Sequence, residues 1–222
     1  MTAVFSQRRL ALGLWSTVVA AAVALTVLAA REPTLPGDVR LAREAQDLPI
    51  PDRLADVVRA MTTTELVVGT GAVFAAALWL AGFRKEGVAL LAAVTVLPLL
   101  QSGVKELVDR PRPSPDLVEL RAGFSSPSFP AGHVMSPTVL YGYAGWLARR
   151  ATRAWLRAGV IVPCAAVLVL TGVVNVYLGV HWPSDVVGGY LWGFALLGPA
   201  VDLGASGGSA GTTARAASRA KV

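Results

Sequence analysis

Charge is scarce in this chain. Asp, Glu, Lys and Arg make up 15% of its 222 residues, where soluble domains carry about 25%; 54% are hydrophobic, and mean hydropathy is +0.57. That balance excludes a disordered chain and argues against a water-soluble domain. Cysteine is scarcer still: Cys164 stands alone in an apolar run, which excludes an intrachain disulfide and a multi-cysteine zinc site and leaves the redox compartment open. Histidine occurs twice, at His133 and His181. Basic residues exceed acidic ones by 20 to 14, a net charge of +6, yet they form no patch or stripe of the kind that binds nucleic acid.

What is present is apolar length. A bilayer core about 30 Å thick needs roughly 20 apolar residues in a helix. Six segments approach this: 10–30, 66–83, 88–107, 133–147, 155–179 and 185–203, the third and fourth being the shortest in apolar content. The first, preceded by Arg8 and Arg9, exceeds the 7–15 apolar residues of a signal peptide and reads as an uncleaved span. The expected fold is therefore all-α, a polytopic six-helix membrane bundle over 1–203, followed by a flexible tail over 204–222 rich in Gly, Ala and Ser. Gly189 and Gly193, with Gly142 and Gly145, read as close helix packing, and Trp146, Trp155, Trp182 and Trp192 as interfacial belts.

Six spans put both termini on one side, and the charges sort accordingly. One side carries 11 basic and 2 acidic residues (+9), the other 9 basic and 12 acidic (−3), which together restore +6. The basic excess is a topology signal that places both termini in the cytoplasm. Segment 31–65 then lies outside, with Leu54, Val57, Val58 and Met61 at helical spacing; an interfacial helix and a cap over the external loops both fit.

Both histidines fall on the external side. His181 opens His181-Trp182-Pro183-Ser184-Asp185, where Pro183 suits a first helical turn and places His181 ahead of an anion-favouring helix N-terminus. Asp185 is placed to orient one ring nitrogen of His181. Before the loop that leads to His133, Lys105, Arg110 and Arg112 put three cations on one stretch, suited to phosphoryl oxygens. Each piece also has a plainer reading, as snorkelling cations or a structural histidine, but their convergence on one face favours a site.

These segments resemble the motifs of the type 2 phosphatidic acid phosphatase family, the lipid phosphate phosphatases related to vanadium haloperoxidases. Lys105 with Arg112-Pro113 matches K-x-x-x-x-x-x-R-P, Pro130-Ala131-Gly132-His133 matches P-S-G-H at three of four positions, and His181 with Asp185 matches the end of the third motif. The resemblance implies an integral membrane phosphatase with its site at the extracytoplasmic ends of the third, fourth and sixth spans. It acts without metal or other cofactor on a lipid phosphate or polyprenyl diphosphate. His181 would attack phosphorus, Asp185 orient it and His133 protonate the leaving group, while Lys105, Arg112 and Gly132 bind the phosphate.

Ala131, Val174 and Asn175 depart from the family's Ser, Ser and Arg. A charged hydrogen bond is worth about 1.5–3 kcal/mol, and one lost transition-state donor costs roughly 10²–10³ in rate. Asn175 and Arg110 are the expected replacements on the phosphate, although Asn175 also reads as a residue that satisfies span backbone. A catalytically impaired member that binds a lipid phosphate head group is the alternative. The expected partners are that lipid and the bilayer, with no nucleic acid; neither lipid selectivity nor oligomeric state is encoded legibly.

Overall fold

The computed structural model describes residues 2–205, with side chains from residue 9. Eight helices run in the order α1 (Thr2–Arg31), α2 (Asp38–Gln46), α3 (Asp52–Met61), α4 (Thr64–Leu80), α5 (Arg84–Val108), α6 (Gly132–Ala148), α7 (Ala154–Tyr177) and α8 (Pro183–Ala205), and no strand occurs among the described residues. Helices α1, α5, α7 and α8 are long and apolar enough to cross a membrane. α4 qualifies when joined to α3 across a 53° bend, and α6, with 17 residues, falls short. Gly204 and Ala205 complete the last turn of α8, so the expected tail lies, from 206 on, outside the described residues.

α8 is the hub, packing on α1, α5, α6 and α7. Leu90 and Leu97 of α5, Met135, Val139 and Tyr143 of α6 and Leu197 of α8 form the main core, with α4 against it. α1 leans on the outside of α8, where Trp15 Nε1 donates to Ala195 O at 2.9 Å and Trp192 Nε1 donates to Thr26 Oγ1 at 3.0 Å. At one end, Glu86 of α5 pairs with Arg150 beyond α6 at 2.5 Å. At the other end, α2 and α3 lie across α7. Ala55 and Val58 are buried there while Leu54, Val57 and Met61 stay exposed, so segment 31–65 covers the bundle end and keeps an apolar outer face.

The α6–α8 seam depends on glycine. A Cβ on Gly189 would lie 2.7 Å from Ala131 O, one on Gly193 2.7 Å from Thr138 Cβ, and one on Gly188 would strike the Phe129 ring. Gly142 meets Leu197 in the same way, whereas Gly145 faces open space and takes no part in packing, contrary to expectation. Trp182 also departs from its expected place at the interface: it is 1% exposed, packed with Ala131, Val134 and Val186. Gly189→Ala should therefore destabilise by about 1–3 kcal/mol through backbone overlap, read as a lower thermal midpoint in detergent. Gly145→Ala should leave the midpoint equal or higher, because nothing meets its methyl and Ala favours helix.

Candidate active site

The site assembles where α5 and α7 end and α6 and α8 begin. α5 stops at Asp109, whose φ of 44° turns the chain into the left-handed region, and Pro111 and Pro113 then prevent helix from resuming. α7 stops at Gly179, with φ 67°; a Cβ there would collide with Glu119 O, so only glycine lets residues 109–131 fold against this turn. The turn delivers His181 into a cavity of about 420 Å³ lined by Arg59, Arg112, Phe124, Ser126, His133 and His181 among others. Both histidines and one expected cation thus share a wall.

Asp185 is fully buried and holds the base of the site. Its Oδ1 accepts from Arg110 Nη1 at 2.5 Å, and its Oδ2 accepts from Trp182 N at 2.8 Å and from the Ser128 hydroxyl. His181 Nδ1 lies 3.6 Å from Oδ2, too long for a hydrogen bond but close enough for the carboxylate to favour a proton on the nitrogen that faces it. Arg112 Nη1 donates to His181 Nε2 at 3.2 Å, so Nε2 carries the lone pair and the ring proton sits on Nδ1, toward Asp185. Burial holds the His181 pKa down at about 3; Asp185 acts against this shift, while Arg112 and Lys105 act with it. The imidazole is accordingly neutral at physiological pH.

The cations near the cavity are anchored by neutral oxygens. Arg112 Nε donates to Ser126 O at 2.7 Å and Nη1 to Val180 O at 2.5 Å, with the Phe124 ring 4.9 Å away. Lys105, 8% exposed, donates to Pro127 O at 2.5 Å, the carbonyl that also receives Arg112 Nη2 at 3.4 Å. Arg59 Nη2 donates to Gly123 O at 2.6 Å. Burial lowers the Arg112 pKa to about 10, with Asp185 opposing and Arg59 adding to the shift. Carbonyl anchoring fixes these side chains without cancelling their charge, leaving a positive cavity with no carboxylate in its wall.

Gly132 starts α6; a side chain there would strike Gln101 at 2.5 Å, and the first-turn N–H groups of Gly132 and His133 have no helical carbonyl to meet. Two expected phosphate contacts are corrected by position. Arg110 is 1% exposed and its guanidinium is consumed by Asp185, by Asp38 Oδ2 at 2.8 Å, by Ser184 Oγ at 2.8 Å and by Pro33 O at 3.2 Å. Asn175 is fully buried and donates to Thr171 O, one turn back, at 2.7 Å, so it satisfies helix backbone and does not reach the cavity. The N-terminus of α8 is likewise already satisfied: Ser184 N donates to Asp38 Oδ1 at 3.0 Å. Asp38 and Arg59 were not singled out from sequence, and neither lies in a motif; Asp38 opening a short helix after Gly37 is its one local signal.

An all-helical membrane bundle thus gathers two histidines and two arginines, with no carboxylate in the wall, around one cavity. The PAP2 superfamily model matches residues 86–203, just over half of the chain, and the chain belongs to that superfamily. It is 32% identical over 139 residues to phosphatidylglycerophosphatase B of Bacillus subtilis (strain 168), a match covering 59% of this chain and 61% of that protein. The match thus spans less than two thirds of the relative's length. The fold is similar to a crystal structure of a transmembrane PAP2-type phosphatidylglycerolphosphate phosphatase from Bacillus subtilis, with a TM-score of 0.66, 23% identity, and coverage of 80% of this chain and 91% of that one.

Asp38→Ala should cost about 3–5 kcal/mol, because it leaves Arg110 half-paired in the interior and uncaps α8; the thermal midpoint in detergent measures it. His181 gives a pH signature. Its folded pKa lies below the ordinary 6.5, so the unfolded chain binds the proton first. Stability is full above pH 6.5 and falls progressively as pH drops toward about 3. Nitrogen NMR of the two histidines should show His181 as the neutral Nδ1–H tautomer through pH 5, and His181→Gln should flatten the pH dependence of the midpoint.

Proposed function

We propose that the protein is an integral membrane phosphatase that hydrolyses a lipid phosphate or polyprenyl diphosphate through a phosphohistidine, without metal. The observation that carries this reading is the shared cavity in which His181, His133 and Arg112 meet. A phosphoryl group held by Arg112 lies beside the lone pair of His181 Nε2. Attack by Nε2 forms the N–P bond as the P–O bond to the lipid breaks, and a proton from His133 goes to the departing oxygen. Water then attacks phosphorus while giving a proton back to His133, the N–P bond breaks, and phosphate leaves with His181 restored. Asp185 faces Nδ1 at 3.6 Å and stabilises the positive charge that develops on the ring. Lys105 and Arg112 supply fixed positive charge to the transferred group, which phosphoryl transfer requires above all else.

The proposed topology has six spans, α1, α4, α5, α6, α7 and α8, with both termini cytoplasmic. It is supported by the charge asymmetry of the loops and by the placement of the site at the bundle end opposite the Glu86–Arg150 pair. The short α6 is surrounded by protein, with Met135, Val139 and Tyr143 buried, which eases its deficit in length. A second reading, a head-group binder with impaired catalysis, draws on Ala131 and on the withdrawal of Asn175 from the cavity.

Phosphate release from detergent-purified protein in EDTA, across phosphatidic acid, phosphatidylglycerol phosphate and a polyprenyl diphosphate, separates the two. The phosphatase reading expects turnover that falls roughly 10³-fold or more in His181→Ala and roughly 10²–10⁴-fold in His133→Ala. Equal rates in wild type and His181→Ala overturn it. Binding without turnover favours the second reading.

A further inference from the structure

We infer that Arg59, on α3 outside the motif-bearing helices, is a phosphoryl-binding residue of this cavity, supplying the cation that α7 does not. The inference rests on the phosphatase reading for its substrate, a phosphate ester, but its geometry stands on its own. Arg59 lines the cavity together with Arg112, His133 and His181. One edge of its guanidinium is fixed, Nη2 donating to Gly123 O at 2.6 Å. The other edge is unfilled: Nη1 is buried and has no hydrogen-bond partner. A buried, unpaired charged donor costs free energy unless a ligand meets it.

The electrostatics point the same way. Arg59 forms no ion pair within 4 Å among the described residues; its nearest acidic influence is Asp56, three residues back on the same helix, which is exposed. Two guanidiniums therefore face one half-enclosed space without a counter-charge, an arrangement that an anion between them relieves. α7 offers no alternative, since Asn175 turns to Thr171 O. The end of α3 is meanwhile held against α7 where Thr171 Oγ1 approaches Thr62 Oγ1 at 3.4 Å and donates to His133 O at 2.7 Å. The helix that carries Arg59 is thus registered against the helix that carries His133.

The unfilled Nη1 edge of Arg59 suits a phosphoryl oxygen shared with Arg112, while Gly123 O keeps the guanidinium oriented. Its predicted contribution is to both ground-state phosphate binding and the transition state.

Full-length protein in detergent tests this with two probes, inorganic phosphate and orthovanadate, read as direct binding and as inhibition of lipid phosphate hydrolysis. Arg59→Gln keeps an amide donor for Gly123 O but removes the charge; Arg59→Lys keeps the charge without the fork. Arg59→Gln should weaken phosphate binding roughly 10-fold or more and lower kcat/KM roughly 10²–10³-fold. Arg59→Lys should recover part of both, and the thermal midpoint should stay near wild type. Unchanged phosphate affinity and kcat/KM in Arg59→Gln overturn the inference, and so does a lowered midpoint with phosphate affinity intact, which makes Arg59 a strut. Wild-type protein that binds orthovanadate through Arg59 yet hydrolyses none of the lipids refutes the phosphatase reading and leaves the inference standing.

Discussion

A single buried guanidinium ties this molecule together. Arg110 bridges Asp38 and Asp185 with side chains that are almost wholly excluded from solvent, at 2.8 and 2.5 Å. In that setting an unpaired charge is prohibitively expensive, so the three residues stand or fall as a group. They come from the start of α2, the exit of α5 and the first turn of α8. Their pairing draws the segment before the core, the long connection 109–131 and the last helix onto one point. Asp185 is oriented by that pairing, and His181 takes its tautomer from Asp185 and Arg112. The placement of the His181 ring is downstream of a structural ion network.

A second constraint separates the two kinds of positive charge at this end of the bundle. Arg110 is neutralised by carboxylates and serves the fold. Lys105, Arg112 and Arg59 rest on the carbonyl oxygens of Pro127, Ser126, Val180 and Gly123, which orient without neutralising. The connection 109–131 supplies three of these four carbonyls, so a segment without regular secondary structure is the template that aims the cations. Neighbouring arginines, Arg110 and Arg112, acquire opposite duties because the turn at Asp109 and the prolines on either side of Arg112 send their side chains in different directions.

The sequence made the helices and the two histidines legible because apolar length and rare residues are strong local signals. Lys105, Arg112, His133, His181 and Asp185 stood out as scarce ionisable residues in segments that resemble family motifs, and the structure brings them to one bundle end. Arg110 could not, since adjacency to a cation cluster says nothing about which way a guanidinium turns. Arg59 was hidden on a helix whose apolar positions at Leu54, Val57, Val58 and Met61 were visible while its polar face looked like ordinary solvated surface. Asp38 was hidden for a different reason: Arg110 and Ser184, which it meets at the site, lie 72 and 146 residues away in sequence, and long-range pairing leaves no periodic trace.

The glycine seam between α6 and α8 acquires a further meaning from where it ends. His133 stands one residue into α6 and His181 two residues before α8, so the interaxial gap along that seam works as a calliper for the two imidazoles. Its setting is the thickness of a backbone, the smallest increment a protein possesses. Any side chain that opens the calliper moves the two imidazoles apart, which binds the geometry of the cavity to the tolerance of helix packing.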